Sequence, residues 1–208
     1  MNARICTAAA AFGFLTIGTA QASERTALQL HADFFDVDVD GFVEWTETYT
    51  RCRALGFSTV TSSGLASAIN LALGSTTGGS TWTINLDNIE AGIHGSDTGI
   101  YDADGDFVPS AFEAIFSRYD ADGDDAISDT EIDALYSGQF TDLTGSLASK
   151  AEFGLLFDIA GEEREVELPC SWFCDTYTDT EVVLTRATMT AFYDGSLFYT
   201  VAGLPVPE

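Results

Sequence analysis

The stretch DVDVDGFVEWTE, Asp36 to Glu47, constrains this chain more than any other. A loop that encloses a hard divalent cation needs oxygen ligands at its first, third and fifth positions. It also needs a backbone carbonyl at the seventh, a bidentate glutamate at the twelfth, and a glycine at the sixth, where the chain turns through positive φ. Asp36, Asp38 and Asp40 fill the first three ligand positions, and Gly41 stands at the sixth. Phe42 offers the carbonyl, Glu44 at the ninth can act through water, and Glu47 closes the loop. Val43, at the eighth, is the apolar residue through which such a loop pairs with a partner strand. With every ligand position met and helical patterns on both sides, this is an EF-hand calcium loop rather than an acidic surface loop.

A second loop, DADGDDAISDTE, repeats the frame. Asp120, Asp122 and Asp124 take the first, third and fifth positions, Ala126 the carbonyl, Ile127 the apolar eighth, Ser128 the ninth and Glu131 the twelfth. Its sixth residue is Asp125, which tolerates the left-handed turn better than most residues but costs about 1 kcal/mol relative to glycine. Weaker calcium binding is therefore expected here. The stretch IYDADGDFVPSAFE fits no frame: with Asp102 first, Phe107 falls on the turn, and with Gly105 on the turn, Ile100 and Ala111 fall on ligand positions. It is expected to be a degenerate partner loop whose Phe107-Val108 pairs with the first loop. Thr176–Ala187 also misplaces its carboxylates, but offers Val183 as a pairing residue.

Around these loops the pattern is helical. Leu28, His31 and Phe35 form one stripe of an amphipathic helix from Glu24 to Phe35, and a second helix runs from Trp45 to about Leu55. Phe57 to Gly74 carries no charge but is diluted with serine and threonine, and a Ser75–Ser80 breaker cluster ends it. Pro109 opens a helix with the stripe Phe112, Ile115, Phe116, Tyr119, and TEIDALYSG, Lys150–Asp158 and Arg186–Tyr193 are helical. Gly161 to Thr180 reads as irregular and acidic. The expected fold is mostly α: EF-hand helix–loop–helix units with short strands pairing inside the calcium loops.

The first residues stand apart. Arg4, an apolar run from Ile5 to Ile17 and Ala20-Gln21-Ala22 form a secretory signal pattern, too short for the ~20 apolar residues of a membrane span. Residues 1–22 are thus expected to be cleaved, leaving one domain, 23–208, secreted or periplasmic. The 33 acidic against 8 basic residues give a formal charge of −25, which repels phosphate backbones and excludes nucleic acid as a partner. Beyond the signal, Cys170 and Cys174 are the local disulfide candidate, and Cys52 is expected to be a buried thiol.

Three blocks together resemble the caleosin family. LHADFFDVDVDGFVEWTETY is similar to its opening block, IHGSDTGIYDADGDFVPSAFEAIFSRY to its middle block, and MTAFYDGSLF to its closing one, in order from Leu30 to Phe198. The resemblance implies a calcium-binding haem b protein of lipid surfaces. It also implies peroxygenase activity, passing one oxygen from a fatty-acid or lipid hydroperoxide to an unsaturated fatty acid. The family's haem depends on two histidines, and the chain's two, His31 and His94, fall on those positions. Coordination by both would fill the iron position that a peroxide needs, so one is expected to be the proximal ligand and the other a distal acid–base. The sequence leaves open which is which.

The family's proline knot, which helps its apolar segment turn within a lipid monolayer, is missing, since no proline precedes Pro109. Contact with lipid is therefore expected to be peripheral. Closing the first loop on calcium would fix the helix that carries His31, so the enzyme is read as a calcium-dependent haem peroxygenase. The alternative is a non-catalytic EF-hand calcium-binding module or lipid-surface interaction protein with structural histidines.

Overall fold

A computed structural model describes residues 25–92, 99–139, 143–169 and 176–207. The chain is mostly helical, with two small antiparallel sheets. Helix α1, Ala27–Asp33, starts at a reciprocal cap: Gln29 N–H donates to Thr26 Oγ1 and Thr26 N–H to Gln29 Oε1, each at 3.2 Å. After the first acidic loop come strand β1, Phe42–Glu44, and helix α2, Trp45–Ala54. Helix α3, Thr59–Leu73, follows, capped by the Ser58 hydroxyl.

Strand β2, Thr83–Asn85, pairs antiparallel with β1 and sets Val43 opposite Ile84. The sequence reading had Phe107-Val108 in that place. Ile84 instead belongs to the same buried cluster as Val43, Leu86 and Ile89, whereas Phe107 packs against the cluster around Phe112 and Phe116. Tyr101 and Phe107 bridge each other, and the Asp102 carboxylate accepts the N–H groups of Asp104 and Asp106 at 3.0 Å each. This turn docks on the start of α1, where Leu28 N–H donates to the Gly105 carbonyl at 3.1 Å.

In the second half, helix α4, Pro109–Tyr119, precedes the second acidic loop, strand β3, Ala126–Ser128, and helix α5, Asp129–Gln139. The α4 stripe Phe112, Ile115, Phe116 and Tyr119 is buried as its spacing predicts. Helix α6, Leu143–Ala160, outruns the expected helix at both ends. Where an irregular acidic stretch was expected, β4, Glu162–Pro169, and β5, Thr176–Thr185, form a long hairpin. Alternation of glutamate with Arg164, Val166 and Leu168 carries the strand period, and its low-propensity glutamates hid it. The sheet order is β3-β5-β4, with Ile127 opposite Leu184 and Ser128 opposite Val183, so Val183 does serve as a pairing residue. Helix α7, Arg186–Tyr193, is followed by α8, Leu197–Ala202.

The uncharged segment is helix α3, packed on α2. Asn70, fully buried, donates to the carbonyls of Val43 and Trp82 at 2.9 Å each and accepts the Thr48 hydroxyl at 2.8 Å. The polar residues that dilute this helix thus tie it to β1 and α2. Among the described residues, no helix is long and apolar enough to cross a membrane.

Candidate functional site

The first acidic loop gathers its carboxylates around one point. Ligand atoms of Asp36, Asp38 and Asp40 lie within 4.8 Å of one another. Asp36 is buried and accepts N–H groups from Val39 at 2.7 Å and Gly41 at 2.9 Å, which holds the loop in its turn. Asp40 accepts the Phe42 N–H at 2.8 Å. Glu47 reaches back across the loop, accepting from Val37 and Glu44 N–H groups at 2.8 Å each. The loop therefore gathers the first, third and fifth positions of the sequence frame into one cluster, while the twelfth, Glu47, is held on the loop's backbone N–H groups; Phe42 and Glu44 lie in β1.

The second loop is built alike and more crowded. Asp120 accepts from Gly123 at 2.7 Å and Asp125 at 3.1 Å; Asp124 accepts from Ala126 at 2.9 Å. Glu131 accepts from Ala121 at 2.6 Å, from Ser128 N–H at 2.9 Å and from the Ser128 hydroxyl at 3.0 Å. Asp120, Asp122 and Glu131 form one cluster that could hold a cation, and Asp122, Asp124 and Glu181 form another. Glu181, from β5, was missed in the sequence, because that strand was not read as one. Arg164, from β4, ion-pairs with Asp124, and Arg186 with Asp125 and Glu113. Desolvation, then the charges of Glu131 and Asp120, raises the Asp122 carboxyl above its ordinary range. Desolvation, then Asp122, Glu131 and Asp129, does the same to Glu181, opposed by Arg164. Crowded carboxylates of this kind favour protons or a cation.

Between the two halves lies a cavity of about 420 Å³ with mostly apolar walls. Leu28 and His31 from α1, and Phe35 just beyond its end, face it, together with α3, the β1–β2 pair, α6, and Phe192 and Phe198. His31 Nδ1 lies 3.1 Å from the Phe192 carbonyl oxygen. A carbonyl only accepts, so Nδ1 carries the proton and Nε2 keeps its lone pair. The rings of Phe192 and Phe198 stand edgewise to the imidazole at 5.0 and 4.7 Å. Burial lowers the His31 pKa, partly offset by the Phe192 bond, and so favours the neutral ring. Thr48, Cys52 and Glu152 add polar atoms to the lining. Cys52 is a free, buried thiol, as expected, with its pKa pushed up to about 11 by desolvation. His94, Cys170 and Cys174, and the expected signal, lie outside the described residues. Gly92 also lines the cavity.

The site thus joins an acidic loop that could hold a cation, through one short helix, to an apolar cavity with a histidine on its wall. Residues 23–202 match the Caleosin family, described as caleosin related protein, and the chain belongs to that family. It is 36% identical over 181 residues to a peroxygenase from Lilium longiflorum, covering 83% of this chain and 68% of that protein. It is 35% identical over 182 residues to probable peroxygenase 4 from Arabidopsis thaliana, covering 84% of this chain and 85% of that one. No solved structure matches significantly.

Proposed function

We propose that this caleosin is an exported, calcium-dependent haem peroxygenase that transfers oxygen from a fatty-acid hydroperoxide to an unsaturated fatty acid. The observation that carries the reading is His31: an imidazole on the wall of an apolar cavity, its Nδ1 3.1 Å from the Phe192 carbonyl oxygen, on the helix that enters the first acidic loop. Names of the relatives in Lilium and Arabidopsis support the reaction class.

The residues fit both groups. Asp36, Asp38, Asp40, the Phe42 carbonyl, Glu44 and Glu47 would hold calcium as an EF-hand; Asp120, Asp122, Asp124, the Ala126 carbonyl, Ser128 and Glu131 would hold a second ion. A nitrogen donor, His31, and dry walls suit haem b, which when bound supplies the peroxide-activating chemistry. His31 and His94 divide two tasks, one holding the iron and the other moving a proton between the peroxide oxygens. Leu28, Phe35, Ile69 and Leu156 exclude water and offer an acyl chain its surface. With an acidic surface, capture of a fatty carboxylate rests on that apolar burial. Calcium in the first loop would fix the position of α1, only two residues from Asp36 at its end.

Protein loaded with haem and calcium should show a Soret band and convert oleate to its epoxide when given a hydroperoxide. No haem uptake by folded, calcium-loaded protein would leave the calcium-binding module as the better account. Intact mass of the exported chain should place its first residue at Ser23; a retained leader would overturn the export reading.

A further inference from the structure

Among the described residues, no lysine or arginine lines the apolar cavity. The chain has eight such residues; Arg4 precedes the described region, and the other seven are engaged elsewhere. Arg25 pairs with Asp33, Lys150 with Asp133, Arg164 with Asp124, and Arg186 with Asp125 and Glu113. Arg51 lies over the Phe34 ring and Arg118 over that of Tyr119, each at 5.1 Å, and Arg53 donates to the Phe57 carbonyl. Thr48 and Cys52, on the α2 wall, are uncharged, and desolvation holds the Cys52 thiol protonated.

The one acidic residue on the lining is Glu152. It heads a stripe along α6, with Leu155, Leu156 and Ile159, whose helical spacing turns one face of that helix to the cavity. Leu156 is 2% exposed, whereas Glu152 is exposed. The stripe thus runs from the interior out to solvent, and its carboxylate stands at the mouth.

We infer that the cavity selects acyl chains whose carboxyl is esterified, and that Glu152 at its mouth discriminates against the free carboxylate. The inference names the substrate class for the peroxygenase reading and rests on that reading for the reaction. A free acid and its ester bury the same hydrocarbon, so the apolar contribution cancels between them and the head decides. A carboxylate drawn to an apolar mouth loses hydration with no cation to replace it, and meets Glu152 as a like charge. An ester loses less hydration and carries no charge for Glu152 to repel. Oleate is still taken, with its carboxylate left in solvent, but more weakly.

The test has a haem-free and a haem-loaded arm. In the first, methyl oleate and oleate displace a neutral fluorescent probe, N-phenyl-1-naphthylamine, from calcium-loaded protein, each kept below its aggregation concentration. Methyl oleate should bind at least about fivefold more tightly than oleate; a smaller ratio overturns the selection. Glu152→Gln should narrow the ratio by about threefold and Glu152→Lys by about tenfold; a ratio unmoved in both removes the residue's role. Glu165→Lys, at an exposed position of β4 outside the cavity lining, changes the net charge as much as Glu152→Lys and should leave the ratio unmoved. An equal narrowing in that variant would assign the discrimination to net charge rather than to the mouth. In the second arm, haem-loaded protein given a hydroperoxide should epoxidise methyl oleate with a higher kcat/KM than oleate, in a proportion that Glu152→Lys narrows. Selective binding of the ester without any epoxide removes the peroxygenase reading and leaves the selection standing. Epoxide formed from both with equal kcat/KM removes the selection and leaves the reaction.

Discussion

The two acidic loops share one frame and place their glycines differently. In each, the fourth and sixth residues adopt positive φ: Val39 at +61° and Gly41 at +87° in the first loop, Gly123 at +76° and Asp125 at +67° in the second. The first loop has its glycine at the sixth position and a β-branched residue at the fourth; the second has its glycine at the fourth and an aspartate at the sixth. Ligand geometry therefore dictates the backbone, and glycine lowers its cost at one of two places. The surroundings differ as well. Among the described residues, no ion pair reaches Asp36, Asp38 or Asp40, whereas the second loop has Arg164 on Asp124 and Arg186 on Asp125. The first loop presents its charge to an incoming cation; the second has part of its charge already neutralised by the protein.

The largest expected effect tests the first loop. Glu47→Gln keeps the hydrogen-bonding shape but removes the bidentate charge, and should weaken calcium at that site about 100-fold, about 2.7 kcal/mol, by calorimetry. An unchanged affinity would mean that the frame closes without its twelfth ligand. The next effect belongs to the second loop and has the opposite sign. Arg164→Ala releases Asp124 and should tighten calcium there by about tenfold, with the first site unmoved. Weaker binding in that variant would show that the guanidinium shapes the loop rather than competing for it.

Legibility in the sequence followed the same division. The turn and aspartate cluster of the first loop could be read because its residues are local, and the stripes around His31 and along α4 because their contacts repeat at helical spacing. Partners across long separations could not be read. Nothing in Val43 announces Ile84 rather than Val108, since both candidates are β-branched or apolar and lie beside turns. The glutamates of β4 hid its strand period, and with it the approach of Arg164 and Glu181 to the second loop. Gly195 stood within a recognised block, yet its approach to the backbone of α1, where a Cβ would stand 2.7 Å from His31 N, exists only once the chain has folded back.

A smaller effect is expected at Val39, which is 81% exposed and makes its left-handed turn against its own β-branch. Val39→Gly removes strain of about 1–2 kcal/mol and adds unfolded-state freedom of about 0.4–1 kcal/mol. Calcium-free protein should gain a fraction of a kcal/mol to about 1 kcal/mol in chemical denaturation. A loss of stability would show that the valine side chain contributes a contact worth more than its strain.

The smallest effect is expected where the sequence alone points to a clear gain. Asp125→Gly relieves a left-handed aspartate, which by itself should tighten the second loop by about 1 kcal/mol. The same carboxylate accepts the Arg186 Nε–H, and Arg186 Nη1 reaches Glu113 at 2.9 Å, so the arginine ties the loop to α4 and to the start of α7. Asp125 is well exposed in this pair, with 65% of its side chain accessible, so the bond contributes only about 0.2–1 kcal/mol. The backbone bond from Arg186 N–H to the Asp125 carbonyl, at 3.0 Å, survives the substitution. Relief and loss are of similar size, and calcium affinity at the second loop should change by less than about threefold, under about 0.7 kcal/mol. The double variant Asp125→Gly with Arg186→Ala separates the two terms. If the turn alone limits the site, the double variant binds as tightly as Asp125→Gly; if the arginine organises the loop, it binds more weakly than either.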